Sequence, residues 1–344
     1  MTCSAAAVRG QIIGQIPLSD TAQEFSRELA AKVQTLEQES ATVLAGADGW
    51  LFLASELRLL SVGRFWGEDA IRVSHAPKPE FADPFPAIVD FYQQLKARGI
   101  TLLLVPVPPK AAVYPEKVVP GPAVSEDVTS PFLDRFYNKL RATGIDVLDL
   151  GPLFLKHRTG EHGEVFCRTD THWSGFGCVL AAQAIAERVR SNLREAEATP
   201  KAYVPQWTDS AIEGDLSGLL GRNAPKPGLE NVSVRTVREQ ATGAPVQPDP
   251  GSPVLLLGDS FTLVFHDFLA ERAGLLDQLA LELGFAPDLI GTRGSGATPV
   301  RISLYRRSAK APDYLARKRM IVWCFTAREF TEAAQGWQKL PVAR

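Results

Sequence analysis

The chain has 344 residues, 45% of them hydrophobic and 22% charged, enough to bury the core of one large α/β domain or of a domain carrying a sizeable insertion. Its 37 Lys and Arg against 39 Asp and Glu leave a net charge of -2, which gives no electrostatic footprint for nucleic acid. No apolar run approaches the ~18 residues of a transmembrane segment, and Met1 to Gln15 lacks the apolar core of a signal peptide.

Residues 20 to 44 read as a helix, with Phe25, Leu29, Val33, Leu36 and Val43 at roughly helical spacing and Asp20 as candidate N-cap. A Gly46-Ala47-Asp48-Gly49 turn leads into a short apolar strand, Trp50 to Leu53, whose Trp50 and Phe52 read as core. After an irregular, prolyl stretch from Val62 to Phe85, a helix over Ala87 to Arg98 ends at Gly99 and gives way to the apolar strand Ile100 to Val107. The succession repeats as Leu133 to Thr143, Gly144, Ile145 to Leu150, and again as Leu276 to Leu283, Gly284, Phe285 to Gly291. Helices alternating with continuously apolar strands predict an α/β fold with a mainly parallel sheet flanked by helices on both faces.

Thr171 to Ser191 reads as a helix, with Cys178, Ala182, Ile185 and Val189 on one line and Ser174 as its cap. From Asn192 to Gly251 periodicity is lost, and about 195–252 is expected to be a loop-rich insertion in which Tyr203, Trp207 and the run Ile212 to Leu216 either wall a sugar ring or simply pack. Val254 to Leu257 is a buried strand that turns at Gly258-Asp259-Ser260 into a helix expected over Thr262 to Ala273. Met320 to Phe325 is a further buried strand. The four cysteines, Cys3, Cys167, Cys178 and Cys324, have no zinc-ligand spacing. Cys324 reads as a small buried hydrophobe, and Cys167 with Cys178 as either a disulfide or two separate buried thiols.

The chemistry concentrates in two stretches. A serine at a strand-to-helix turn has its own N–H and the helix N-terminus beside it, which suits a nucleophile generating an oxyanion; capping is the plainer role for the same residue. A hydroxyl of ordinary pKa needs a base and a group that orients the base, and Asp170 with His172, two apart in an extended loop and so on one side of it, supply both. Ligands of parallel sheets bind beyond the carboxyl ends of the strands. The loops at those ends carry Lys110, Tyr114, Asp170, His172, Ser260, Arg293 to Gly296 and Arg328. Backbone N–H groups of Gly294 to Gly296 are candidates for a second oxyanion donor. Lys110, Arg293 and Arg328 are read either as substrate contacts or as ordinary paired or solvated cations. A metal cluster of His162, Cys167, Asp170 and His172 fits no common zinc pattern, so no metal is expected.

Gly258-Asp259-Ser260, the upstream Thr169-Asp170-Thr171-His172-Trp173 and the earlier Gly46 to Leu53 together resemble the alginate O-acetyltransferases of the AlgJ/AlgX type, over about residues 40 to 335. The resemblance implies an SGNH-hydrolase-like fold with permuted motifs, because Asp and His here precede the serine. It divides the chain into an N-terminal extension and helix at 1–40, a catalytic domain at 41–335 and a tail at 336–344. It further implies a catalytic triad of Ser260, His172 and Asp170, a periplasmic setting, a polysaccharide acceptor, an acetyl donor handed over by a membrane acetyltransferase, and no cofactor. A carbohydrate acetylesterase using the same triad is the alternative enzyme, and a non-catalytic polysaccharide-binding assembly protein the alternative of another class.

Overall fold

The computed structural model describes residues 18–121, 126–193, 200–221, 224 and 226–343. Cys3 and most of the N-terminal extension therefore lie outside the described residues. Helix α1 (Asp20–Gln38) is capped by Ser19, whose hydroxyl accepts from the Ala22 N–H at 3.2 Å, so the expected cap lies one residue late; α1 buries Phe25, Leu29, Val33 and Leu36 as its spacing requires. A small hairpin of β1 (Val43–Ala45) and β2 (Leu51–Leu53) follows, then α2 (Ala54–Ser61) and α3 (Pro84–Lys96). The remaining main elements are β3 (Thr101–Val107), α4 (Pro131–Arg141), β4 (Asp146–Val147), α5 (Gly175–Asn192), β5 (Tyr203–Ile212), β6 (Glu230–Glu239), β7 (Val254–Gly258), α6 (Leu275–Leu283), β8 (Asp288–Gly291), α7 (Thr298–Lys310) and β9 (Met320–Thr326).

The main sheet has five parallel strands in the order β8-β7-β9-β3-β4. Every residue of β7 and β9 is buried, and only Thr101 of β3 is partly exposed. This is why these strands read as continuous apolar runs: packed on both faces, they have no polar side to alternate with. The register aligns Gly291 with Gly258 at the carboxyl ends of β8 and β7 and sets Cys324 of β9 beside Gly258, while Thr326 at the end of β9 pairs with Val107 at the end of β3.

Several expectations fail. The stretch expected as loop is a long antiparallel ribbon, β5 paired with β6 over Tyr203↔Glu239 to Ile212↔Glu230. Half of β5 is exposed and it carries Pro205, so no apolar alternation marks that strand, while β6 alternates only briefly, burying Val232 and Val234. The helix expected over Thr262 to Ala273 is absent; only one 3-10 turn, Ser260–Thr262, precedes an irregular excursion in which Phe265, Leu269 and Arg272 all have positive φ. Its apolar residues are spaced for burial without a helix: Val264, Phe265 and Ala273 pack in the core, and Phe268 meets His172. The short apolar run Val165 to Cys167, strand-like in sequence, joins no sheet among the described residues; Phe166 only bridges Trp173. The final residues are no loose tail, since Trp337 and Val342 are buried in the core.

Candidate active site

Strand β7 delivers the nucleophile turn. Asp259, buried, receives the Phe261 N–H on Oδ1 at 3.0 Å and the Thr326 N–H on Oδ2 at 2.8 Å, so one carboxylate fixes both the turn and the end of β9. Burial pushes its pKa up against those two N–H bonds. Ser260 stands half-buried on this turn, without a following helix to supply a dipole.

The Asp-Thr-His-Trp loop comes from the opposite side. Ser174 ends it by capping α5, accepting the Gly177 N–H at 3.1 Å, while the Cys167 N–H donates to the His172 carbonyl at 3.1 Å. Asp170 Oδ1 lies 2.7 Å from His172 Nδ1 and accepts the His172 backbone N–H at 2.9 Å. His172 Nε2 lies 2.8 Å from Ser260 Oγ. An ionised carboxylate at Nδ1 requires the proton there, which leaves Nε2 to accept from the serine hydroxyl. Burial works against the Asp170 charge, but His172 and the backbone N–H groups of Asp215 and His172 outweigh it and hold the carboxyl at about 2. Phe261 and Phe268 flank the imidazole, with ring centroids 4.8 and 5.6 Å away, and restrict water at the base.

Three distant residues hold the loop in place. The Asp215 N–H donates to Asp170 Oδ2 at 2.9 Å, and the Asp215 carboxylate accepts the Thr171 N–H at 2.7 Å. Gly214 is required beside it, because a Cβ there would fall 2.2 Å from the Thr169 carbonyl oxygen. Glu230, at the start of β6, accepts the Arg168 and Thr169 N–H groups, each at 2.8 Å. Lys110, fully buried beyond β3, donates from Nζ to the carbonyls of Asp170 at 2.6 Å and Leu51 at 2.9 Å.

A family profile described as the SGNH hydrolase-like domain of acetyltransferase AlgX matches residues 43–279. The chain belongs to this AlgX-type family. Among its relatives are the probable alginate O-acetylase AlgJ of Pseudomonas aeruginosa, 30% identical over 273 residues, with 75% of this chain and 63% of the relative covered. The corresponding AlgJ of Pseudomonas putida is 29% identical over 247 residues, with 68% and 60% covered. The chain thus spans less than two thirds of the length of either relative. The O-acetyltransferase domain of Pseudomonas putida AlgJ superposes with a TM-score of 0.63 at 24% identity, over 84% of this chain and 92% of that one. AlgX of Pseudomonas aeruginosa superposes with a TM-score of 0.60 at 16% identity, over 83% and 62% of the two chains. These likenesses establish an SGNH-hydrolase-like α/β fold.

Within the AlgX-type frame, most of the other residues expected at the rim do structural work. Lys110 is a buried backbone clamp, far from solvent, so it is not a substrate cation. Arg328 donates to Glu56 Oε1 at 3.0 Å and to Thr326 Oγ1 at 3.3 Å. Tyr114 is buried, accepting the Val165 N–H at 3.0 Å and donating to the Arg158 carbonyl. Trp173 is wholly buried, edge-on to Phe261 with centroids 5.1 Å apart. Trp207 stacks on His162 at 3.6 Å, and the Ile212 to Leu216 run buttresses Asp170 instead of walling a sugar. Cys167, Cys178 and Cys324 are separate buried thiols.

Arg293 alone of the three cations stays at the site with no carboxylate partner among the described residues. Exposed, its guanidinium lies 4.3 Å above the Phe268 ring that abuts His172. The neighbouring loop is firmly seated. Gly294 has φ 95°, a Cβ on Gly296 would come 2.3 Å from Phe325 Cβ, and buried Glu329 accepts the Ser295 hydroxyl at 2.5 Å and the Ala297 N–H at 3.3 Å. Burial, helped by nearby Asp259, pushes the Glu329 carboxyl up to about 7.

Donor atoms of Asp170, His172 and Asp215 lie within 4.8 Å of one another, the spacing of a metal site. Asp170 is already engaged by His172 Nδ1 and two backbone N–H groups, Asp215 by the Thr171 N–H and hydroxyl, and His172 Nε2 by Ser260, so the cluster fits a hydrogen-bonded relay better than a cation. Asp215, Glu230, Phe268 and Glu329 carry no motif that spacing could have revealed. Only the Gly214-Asp215 pair, in a stretch without periodicity, hints at a tight approach.

Proposed function

We propose that the chain is the catalytic part of a polysaccharide O-acetyltransferase that passes an acetyl group through Ser260 to hydroxyls of an acidic exopolysaccharide, with alginate, named in its relatives, as first candidate. The hydrogen-bonded chain Asp170–His172–Ser260, 2.7 and 2.8 Å, carries this reading. Ser260 Oγ attacks the acetyl carbonyl while its proton passes to His172 Nε2. The bond to the donor's leaving group then breaks, and that group takes the proton. In the second half an acceptor hydroxyl gives its proton to Nε2 as its oxygen attacks the acetyl-serine, and Ser260 departs with that proton. Asp170 stays ionised and stabilises the imidazolium of each half-reaction. The Ser260 N–H, with N–H groups of the Gly294 to Gly296 loop, is assigned to the oxyanion.

Transfer prevails over hydrolysis only if the acceptor is bound and oriented, since orientation is worth several orders of magnitude in effective concentration. Arg293, unpaired above Phe268, is assigned to an acceptor carboxylate. No helix among the described residues is long and apolar enough to cross a membrane. The family setting supports a periplasmic enzyme supplied with acetyl groups by a membrane-bound partner. The deciding experiment incubates the protein with a chromogenic acetyl ester and neutral or uronate oligosaccharides and analyses the sugars by mass spectrometry. Acetyl increments that depend on Ser260 support the transferase; free acetate alone with every sugar makes it an esterase.

A further inference from the structure

A cleft of about 500 Å³ opens beside the catalytic turn at the edge strand β8, with Leu263, Leu289 and Ile290 among its apolar lining and Gln247, His266 and Arg307 among its polar lining. Leu263 ties its wall to the Ser260 turn. The Leu263 N–H donates to the Ser260 carbonyl at 3.0 Å, and the Leu263 side chain lies against Gly291, where an added Cβ would meet it at 2.3 Å. Just beyond Gly291, the Thr292 N–H donates to the Gly258 carbonyl at 3.0 Å, and the next residue is Arg293.

The cleft offers positive charge. Asp288 is the shared partner of Arg307, at 3.0 Å, and of Lys318, at 3.0 Å, and also accepts the Tyr314 hydroxyl at 2.5 Å. Of the two cations Arg307 is the one a ligand can reach, its side chain 42% exposed while that of Lys318 is 0% exposed. Across the cleft, His266 Nδ1 lies 2.8 Å from Asp277 Oδ2, which directs the ring's other nitrogen outward as a donor when the ring is charged. Burial disfavours that charge, but Asp277 more than offsets it and raises the imidazole pKa. His266 Nε2 is 3.9 Å from Asp267, beyond hydrogen-bond range, and Asp267 is the one carboxylate among the lining residues.

We propose that this cleft is an acceptor subsite for a uronate residue of the polysaccharide, one or a few sugars away from the hydroxyl being acetylated, with its carboxylate between Arg307 and His266 and its ring against Leu263 and Leu289. The inference rests on the transferase reading above. Binding energy collected there holds the chain in register at Ser260 without touching the reacting atoms.

The test compares uronate dimers with hexamers, and with neutral hexamers, as acceptors for the wild type and for Gln247→Glu, Arg307→Gln and Asp267→Asn. Gln247 is exposed, so its variant keeps the fold even if loss of Arg307 disturbs Asp288. The expected result is a KM for the uronate hexamer raised about 3- to 10-fold by Gln247→Glu and Arg307→Gln and lowered about 2-fold by Asp267→Asn, the scale of single exposed charge contacts. Dimers, neutral hexamers and hydrolysis of the aryl ester should be unaffected. Unchanged hexamer KM in both Gln247→Glu and Asp267→Asn, or equal changes for dimers and neutral chains, overturns the subsite. Should the wild type acetylate no sugar, the transferase reading fails by itself. The subsite is then judged by calorimetric binding of the uronate hexamer to Ser260→Ala with and without Gln247→Glu: binding weakened by the second substitution sustains it, and equal or no binding removes it.

Discussion

Replacing Asp170 with Asn keeps the shape of the side chain and reverses its hydrogen-bond logic. Three N–H donors converge on the carboxylate: His172 Nδ1 and the His172 backbone on Oδ1, and the Asp215 backbone on Oδ2. An amide has one acceptor oxygen and one donor nitrogen, so one of the two sides must face donor against donor. With the oxygen toward His172, the amide opposes the Asp215 N–H and the loop is loosened. With the nitrogen toward His172, Nδ1 must accept, the proton moves to Nε2, and the base can no longer take the serine proton. Either arrangement also loses the negative charge that stabilises the imidazolium. A wrong tautomer in a serine triad costs about 10⁴ in turnover, and ~1.36 kcal/mol per decade makes this roughly 5 kcal/mol of barrier. The assay is steady-state release from a chromogenic acetyl ester, with circular dichroism to confirm folding. A folded Asp170→Asn protein within tenfold of wild type would refute the relay.

Ser260→Ala should abolish acetate release, on the order of 10³-fold or more, and prevent labelling by a fluorophosphonate, with an unchanged thermal melt. Arg293→Ala should lower acetyl transfer to uronate acceptors several-fold and leave ester hydrolysis intact; equal losses in both would mean it acts on the fold or on the donor. Because Asp170 is depressed from 3.8 to about 2 in the folded protein, its contribution to stability is complete above pH ~4 and is lost as pH falls through about 2. Acid titration of unfolding should therefore be shallower in Asp170→Asn. Glu329 has the opposite sign: raised from 4.5 to about 7, it favours the fold below pH ~4.5 and loses that contribution as pH rises through about 7. Glu329→Gln, which keeps an acceptor for Ser295 and Ala297, should flatten the fall in stability between those values, as denaturant melts at pH 5 and 8 would show.

The sheet and the Asp170–His172–Ser260 chain were legible because each leaves a local trace. Strands packed on both faces are uninterrupted apolar runs, and a Gly-Asp-Ser turn and an Asp-x-His loop carry their chemistry within a few residues. What surrounds them leaves none. Lys110 acts through carbonyl oxygens, which every residue has, so its true role could not be distinguished from that of a surface cation. Arg328 finds Glu56 at a separation of 272 residues. In the β5–β6 ribbon only β6 turns an alternating face to the core, at Val232 and Val234, too short beside the largely exposed β5 to announce a ten-residue hairpin. After Ser260, apolar spacing suggested a helix, while Phe265, Leu269 and Arg272 take up left-handed backbone that only their surroundings can impose.

The ribbon is attached to the reaction more closely than its exposure suggests. Glu230 at the start of its second strand and Asp215 just past the end of its first hold Arg168, Thr169, Asp170 and Thr171 by their main-chain or carboxylate groups. Anyone grafting this hairpin from one family member to another would be exchanging part of the bracket that holds Asp170 and His172. A chimera that keeps Gly214, Asp215 and Glu230 and varies only the outward residues of the ribbon is the one expected to retain turnover.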